Sequence, residues 1–171
     1  LAGRTTRVTF EADVEDASRQ HVSNRASVVV HPAAVYAGVR VAGGFGTVGT
    51  ATNVEVIGVG VDGKRIGDRP IAVVVKRRSW KTTRKRDVDT GRFETISEPE
   101  ETAVKTCELK SDAGAPVVCA VQGDKPGLYV VEATATDKAG HKARTSLSMY
   151  ITGGGAVGWQ QSNDSHLELV L

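Results

Sequence analysis

Apolar and polar residues alternate with a period of two along most of this chain. From 7 to 15, Val8, Phe10, Ala12 and Val14 fall on one face, and Arg7, Thr9, Glu11, Asp13 and Glu15 on the other. Successive side chains of a strand point to opposite faces, so this pattern predicts a β-strand. A polar turn over 16–21 leads to a second strand over about 23–30, closed by Pro32, and a third short strand over 34–41. Four glycines stand within 43–49. That composition predicts a flexible connection, and a boundary is expected over 43–51.

Further strands are expected at 52–61, 71–79, 92–97, 102–109, 116–121, 128–136 and 142–151. Asp62-Gly63 reads as a tight hairpin turn between the first two, because both residues accept positive φ. The run 71–79 is apolar on both faces, as expected of a central strand. Seven strands in about 100 residues suit one immunoglobulin-like sandwich. An internal repeat supports a second: Phe10–Asp16 can be laid on Val131–Asp137, each followed by a polar turn, a histidine (His21, His141) and another strand. The expected fold is therefore an all-β tandem of antiparallel Ig- or fibronectin-III-like β-sandwiches, the first one partial. Residues 1–42 would be the C-terminal part of one sandwich, 43–51 a Gly-rich linker, and 52–153 a complete seven-stranded sandwich. Residues 154–171 would be a linker and the first strand of a further domain. Because the chain opens at Leu1-Ala2-Gly3 and stops inside the alternating run 167–171, a fragment of a longer protein is expected.

Composition agrees with sheet. The 171 residues include 26 Val and 16 Thr against 7 Leu and 1 Met, and β-branched side chains suit strands better than helices. No apolar run approaches the roughly 20 residues of a membrane helix. A net charge of +2 is too balanced to point to nucleic acid.

Candidate chemistry is sparse. Asp16 with His21 and Asp137 with His141 suggest acid–base pairs, yet their recurrence at equivalent turns favours aspartates that cap their own turns. No nucleophile accompanies either pair in a triad-like arrangement. Cys107 and Cys119 lack the close ligand pairs of a zinc site. A disulfide across a 102–109/116–121 hairpin is favoured over two buried thiols, and implies an oxidising compartment. Seven of the eleven residues over 76–86 are basic: Lys76, Arg77, Arg78, Lys81, Arg84, Lys85 and Arg86, with Trp80 among them. Three readings stay open for this run. It is a solvated sheet edge facing Glu94, Glu98, Glu100 and Glu101 across a turn at 89–91, a polyanion site, or a protein-docking patch. Gly58, Gly60 and Gly63 precede no helix and form no phosphate-binding fingerprint. No cofactor or metal is expected.

The order of these parts carries a resemblance. A hairpin ending in Val28-Val29-Val30-His31-Pro32-Ala33 is followed by Tyr36-Ala37-Gly38-Val39. Then come Pro70-Ile71-Ala72-Val73-Val74-Val75-Lys76-Arg77-Arg78-Ser79-Trp80, Cys107, Cys119, and the closing hairpin from Gly127-Leu128-Tyr129 to Asp137. Trp159 and Leu167-Glu168-Leu169-Val170 complete the series. This order resembles the bacterial alpha-2-macroglobulins, specifically the macroglobulin-like domains preceding the bait-region domain. The resemblance implies a large, periplasmic or extracellular cell-envelope parent, a lipoprotein that traps proteases after bait cleavage. It implies a scaffold role for this chain, without enzymatic activity. Its partners would be the neighbouring macroglobulin and bait-region domains, with target proteases met through the parent. The thioester motif of that family is missing: Cys107 precedes Glu108-Leu109-Lys110, and Cys119 precedes Ala120-Val121-Gln122. The competing expectation is an Ig-like binding module of a bacterial adhesin or surface protein.

Overall fold

The computed structural model describes residues 5–86, 88, 91, 93–155, 157, 158 and 160. They form ten strands, one 3-10 turn at 42–44, and no α-helix among the described residues. The strands are β1 (Thr6–Glu15), β2 (His21–Val30), β3 (Val35–Val41), β4 (Phe45–Thr47) and β5 (Ala51–Gly60). They continue with β6 (Pro70–Arg86), β7 (Phe93–Lys110), β8 (Val117–Gln122), β9 (Gly127–Thr136) and β10 (Lys142–Thr152). Among the described residues, β1 and β2 pair only with each other, a five-stranded sheet runs β4-β10-β9-β6-β7, and a three-stranded sheet runs β3-β5-β8.

The two larger sheets face each other, and the alternation read from the sequence supplies the core between them. Val54 and Val56 on β5, Ile71, Val73 and Val75 on β6, Tyr129, Val131, Ala133 and Ala135 on β9, and Met149 and Ile151 on β10 are buried together. β6 lies between β9 and β7, which explains why its outward residues are also largely apolar near its start.

Three differences from the sequence pattern reshape the unit. First, β3 pairs antiparallel with β5 from Val35↔Gly60 to Val41↔Val54, and Val35, Ala37 and Val41 are core residues. The glycine-rich stretch expected to separate two domains therefore lies inside the sandwich. Gly43, Gly44 and Gly49 take positive φ so that the chain can leave one sheet, and β4 then lies parallel to β10. Second, Asp62-Gly63 does not join two paired strands. Gly63 alone is left-handed, its N–H donates to the Gly60 carbonyl, and after an isolated Val59↔Arg65 bridge the chain crosses to the opposite sheet. Third, the expected strands over 92–97 and 102–109 are one strand, β7, running through Pro99. An edge strand tolerates a proline because one side of its backbone needs no ladder partner.

The repeat seen in the sequence is conformational as well. At both hairpin ends the aspartate N–H donates to the carbonyl four residues on (Asp16 to Gln20, Asp137 to His141). In each, the aspartate carbonyl accepts from the residue three on (Arg19, Gly140). Arg19 and Gly140 are both left-handed. Gln20, rather than His21, is thus the structural equivalent of His141.

Candidate functional site

Beyond the sandwich, β6 and β7 continue together as a two-stranded arm. β9 follows β6 only from Ile71↔Ala135 to Arg78↔Leu128, whereas β7 stays with it to Arg86↔Phe93. This arm carries most of the basic residues noted in the sequence, and its register sorts them into different situations.

Lys76 and Arg78 lie on the outward face, where β7 brings Glu101 and β9 brings Glu132. Lys76 Nζ donates to Glu132 at 2.9 Å and to Glu101 at 3.3 Å, and Arg78 donates to Glu101 through Nε and NH2. The hydrogen bond to Glu132 raises the Lys76 pKa, and the Arg78 guanidinium holds Glu101 below the usual carboxylate range. These four side chains are 24–32% exposed, so this network is half-desolvated at the root of the arm. Arg77 points to the opposite face, opposite Tyr129 in the β9 register.

Farther out, Lys81 stands opposite Glu98 and Lys85 opposite Glu94, on one face. Arg84 and Arg86 fall on the other, opposite Thr95 and Phe93, with the Arg84 guanidinium 5.4 Å from the Phe93 ring centroid. Trp80, also on this face, lies at the root of the arm. It lines a cleft of about 230 Å³ with Leu128, Tyr150, Val157 and Gln160, the last two from the chain after β10. Residues 89 and 90 of the expected turn, Trp159, and the expected strand over 167–171 lie outside the described residues.

Cys107 and Cys119 are joined, with their Cα atoms 6.0 Å apart. The bond does not cross a hairpin. Cys107 is on β7 of the five-stranded sheet and Cys119 on β8 of the three-stranded sheet, and both are edge strands. The connection over 111–116 switches sheets instead of turning back. Ser111 anchors it, its Oγ donating to the Ile66 carbonyl and accepting from Arg69 N–H. Asp112 then caps the next turn, accepting from Gly114 and Ala115 N–H. The disulfide therefore closes one open side of the sandwich.

The Asp–His pairs form turn caps. Asp16 accepts from Ser18 and Gln20 N–H; Asp137 accepts from Ala139 and His141 N–H. These bonds depress both pKa values; at Asp137 the largest effect comes from a further bond, from Ala34 N–H, across 103 residues of sequence. That bond, which no local sequence signal announces, fixes the start of β3 against the β9–β10 turn. Beside it Tyr36 hydroxyl meets His31 Nδ1 at 2.7 Å and Thr5 Oγ1 at 2.6 Å, joining the β1–β2 hairpin to the sandwich. The His141 ring lies 3.3 Å from Asp137, with no nucleophile in the arrangement. Among the described residues, no group of three or more His, Cys, Asp or Glu side chains could hold a metal ion.

A model of the bacterial macroglobulin domain 6 family matches residues 38–152, more than half of the chain and nearly the whole sandwich. The chain belongs to the bacterial macroglobulin domain 6 family. Among solved structures, the macroglobulin domain is similar to Escherichia coli alpha-2-macroglobulin in its native conformation, with a TM-score of 0.64 at 14% identity, covering 94% of this chain and 10% of that one. Salmonella alpha-2-macroglobulin reacted with methylamine gives 0.61 at 11% identity, covering 88% of this chain and 10% of that one. E. coli alpha-2-macroglobulin activated by porcine elastase gives 0.57 at 13% identity, covering 92% and 13%. At such identities the likeness concerns the fold, and the chain spans about a tenth of the length of these proteins. No curated protein matches it in sequence.

Proposed function

We propose that this macroglobulin domain is a non-catalytic scaffold segment of a bacterial alpha-2-macroglobulin-like protease inhibitor. The observation that carries the reading is the family match over the sandwich, together with a likeness to the E. coli protein that extends over the preceding hairpin as well. One of those similar structures is the E. coli protein activated by elastase; by extension, the parent of this chain meets proteases, traps them after cleavage of its bait segment, and resides in the periplasm or cell envelope as a lipoprotein.

The uncovered hairpin supports a place inside a longer array. Val8, Phe10 and Val14 on β1 stand opposite Val28, Ala26 and Val22 on β2, yet Phe10, Val14 and Val22 are 61%, 65% and 70% exposed. An apolar sheet face of this kind belongs against a second sheet. We assign β1–β2 to the end of a preceding macroglobulin-like sandwich, and the residues after β10 to the link with a following domain. The inter-sheet disulfide and the Asp137–Ala34 bond stiffen the segment between them, as a scaffold that holds neighbours in register requires.

Incubating the full-length parent with a broad-specificity protease tests this reading. Cleavage confined to one segment outside residues 38–152, with faster native-gel migration and retained protease, is the expected result. Scattered cleavage without compaction or retention would overturn it.

A further inference from the structure

Among the described residues, neither outer edge of the β6–β7 arm is paired with a further strand, and the two edges differ in charge. From residue 79 to 86, β6 has β7 on one side and, among the described residues, no strand on the other. That stretch carries Lys81, Arg84, Lys85 and Arg86 and no acid; β7 over 93–100 carries Glu94, Glu98 and Glu100 and no base. We propose that the open edge of β6 over 79–86 docks an extended acidic segment of a protein partner. The segment adds as a third strand, with carboxylates at alternate positions facing Arg84 and Arg86.

Strand addition uses the unpaired backbone groups of an edge for affinity and the alternating side chains for selection. Residues 79–86 contain no proline, so every amide on that edge keeps its N–H. The β7 edge is guarded by Pro99 and by three glutamates, which oppose an acidic strand directly. An acidic segment is therefore steered to β6 and repelled from β7. On β6, Arg84 and Arg86 are two residues apart on one face, about 7 Å along a strand. This is the spacing of carboxylates at i and i+2 of an incoming strand. Contact with the Phe93 ring restrains the Arg84 guanidinium in advance, which lowers the ordering cost of binding.

A protein segment is favoured over a polyanion by the same counting. Over 79–100 five bases are balanced by five acids, a net charge of zero, which gives no long-range attraction for a highly charged polymer. Its positive character is local to one edge and one face, which suits a partner read at strand spacing.

The test uses the whole chain, isotope-labelled and titrated with a synthetic peptide of alternating Thr and Glu. The comparison probes are a peptide of the same composition with its acids adjacent, heparin, and anionic phosphatidylglycerol vesicles. Amide shifts and slowed hydrogen exchange concentrated on 79–86 are expected. Arg84→Glu with Arg86→Glu should weaken the alternating peptide by about tenfold or more, and the adjacent-acid peptide should bind less well. Arg84→Ser with Arg86→Ser provides the same comparison where charge reversal perturbs folding. Shifts on 93–100 or spread over the sandwich, equal binding of both peptides, or affinity unchanged by the substitutions would overturn the proposal. So would binding confined to heparin or vesicles.

Discussion

Tyr129 is fully buried, yet its hydroxyl donates to the Lys125 carbonyl at 2.8 Å. It sits near the start of its strand and bonds a few residues upstream, as in the tyrosine corners of other sandwiches. Burial pushes its pKa up. Tyr129→Phe keeps the ring in the core and leaves the carbonyl without its partner, so a loss of about 1 kcal/mol is expected in urea unfolding, with an unchanged m-value. Asp137 has a different signature. Its backbone partners, Ala34 first, depress its pKa below the ordinary 3.8. A group whose pKa is lowered on folding contributes stability above its unfolded value, and that contribution is lost as pH falls through the folded value. The stability gap between the native chain and Asp137→Ala should therefore be full at neutral pH and narrow progressively below pH 3.8. Unfolding curves across that range check it; a gap independent of pH would remove the carboxylate from the account.

At the scale of elements, the sequence made individual strands legible and left their partners open. Alternation identifies which side of a strand is apolar, as at Ile71, Val73 and Val75, but it does not say which sheet supplies the facing layer. Hence β3 was separable in the sequence from the sandwich whose core it completes, and Asp62-Gly63 looked like a hairpin although the chain changes sheets after it. The expected strands 92–97 and 102–109 left a gap about Pro99 because continuity there comes from cross-strand pairing with β6, which is not local. The two cysteines pointed to each other by elimination, whereas the placement of their bond between sheets depends on the 111–116 crossover. That placement makes a prediction. Replacing Cys107 and Cys119 together by serine removes a link with a sequence separation of 12, an effect of roughly 3 kcal/mol by chain entropy. The native-state exchange of β7 and β8 amides should rise more than that of β9 and β10, because the bond joins two edges and β9 lies within its sheet. Uniform acceleration across both sheets would indicate a loss of global stability alone.

For the whole molecule, the distribution of burial separates two parts that the chain connects through residues 31–34. Among the described residues, every buried hydrophobic one lies between Ala33 and Ile151, and the side-chain hydrogen bond that ties the hairpin to the sandwich is that of Thr5 with Tyr36. An isolated two-stranded ribbon is marginal in water, so β1–β2 gains little from this sandwich and contributes little to it. A chain beginning at residue 31 should therefore unfold within about 1 kcal/mol of the whole chain, since the core and the disulfide are intact. In the whole chain, β1 and β2 amides should exchange close to the unfolded rate while β6 and β9 exchange only through global unfolding. Restoring the residues that precede this chain in its parent should then protect β1 and β2 without altering β6. If the hairpin is already protected in the 171-residue chain, or if removing it destabilises the sandwich by several kcal/mol, the two parts are one cooperative unit. The assignment of the hairpin to a preceding sandwich would then fail.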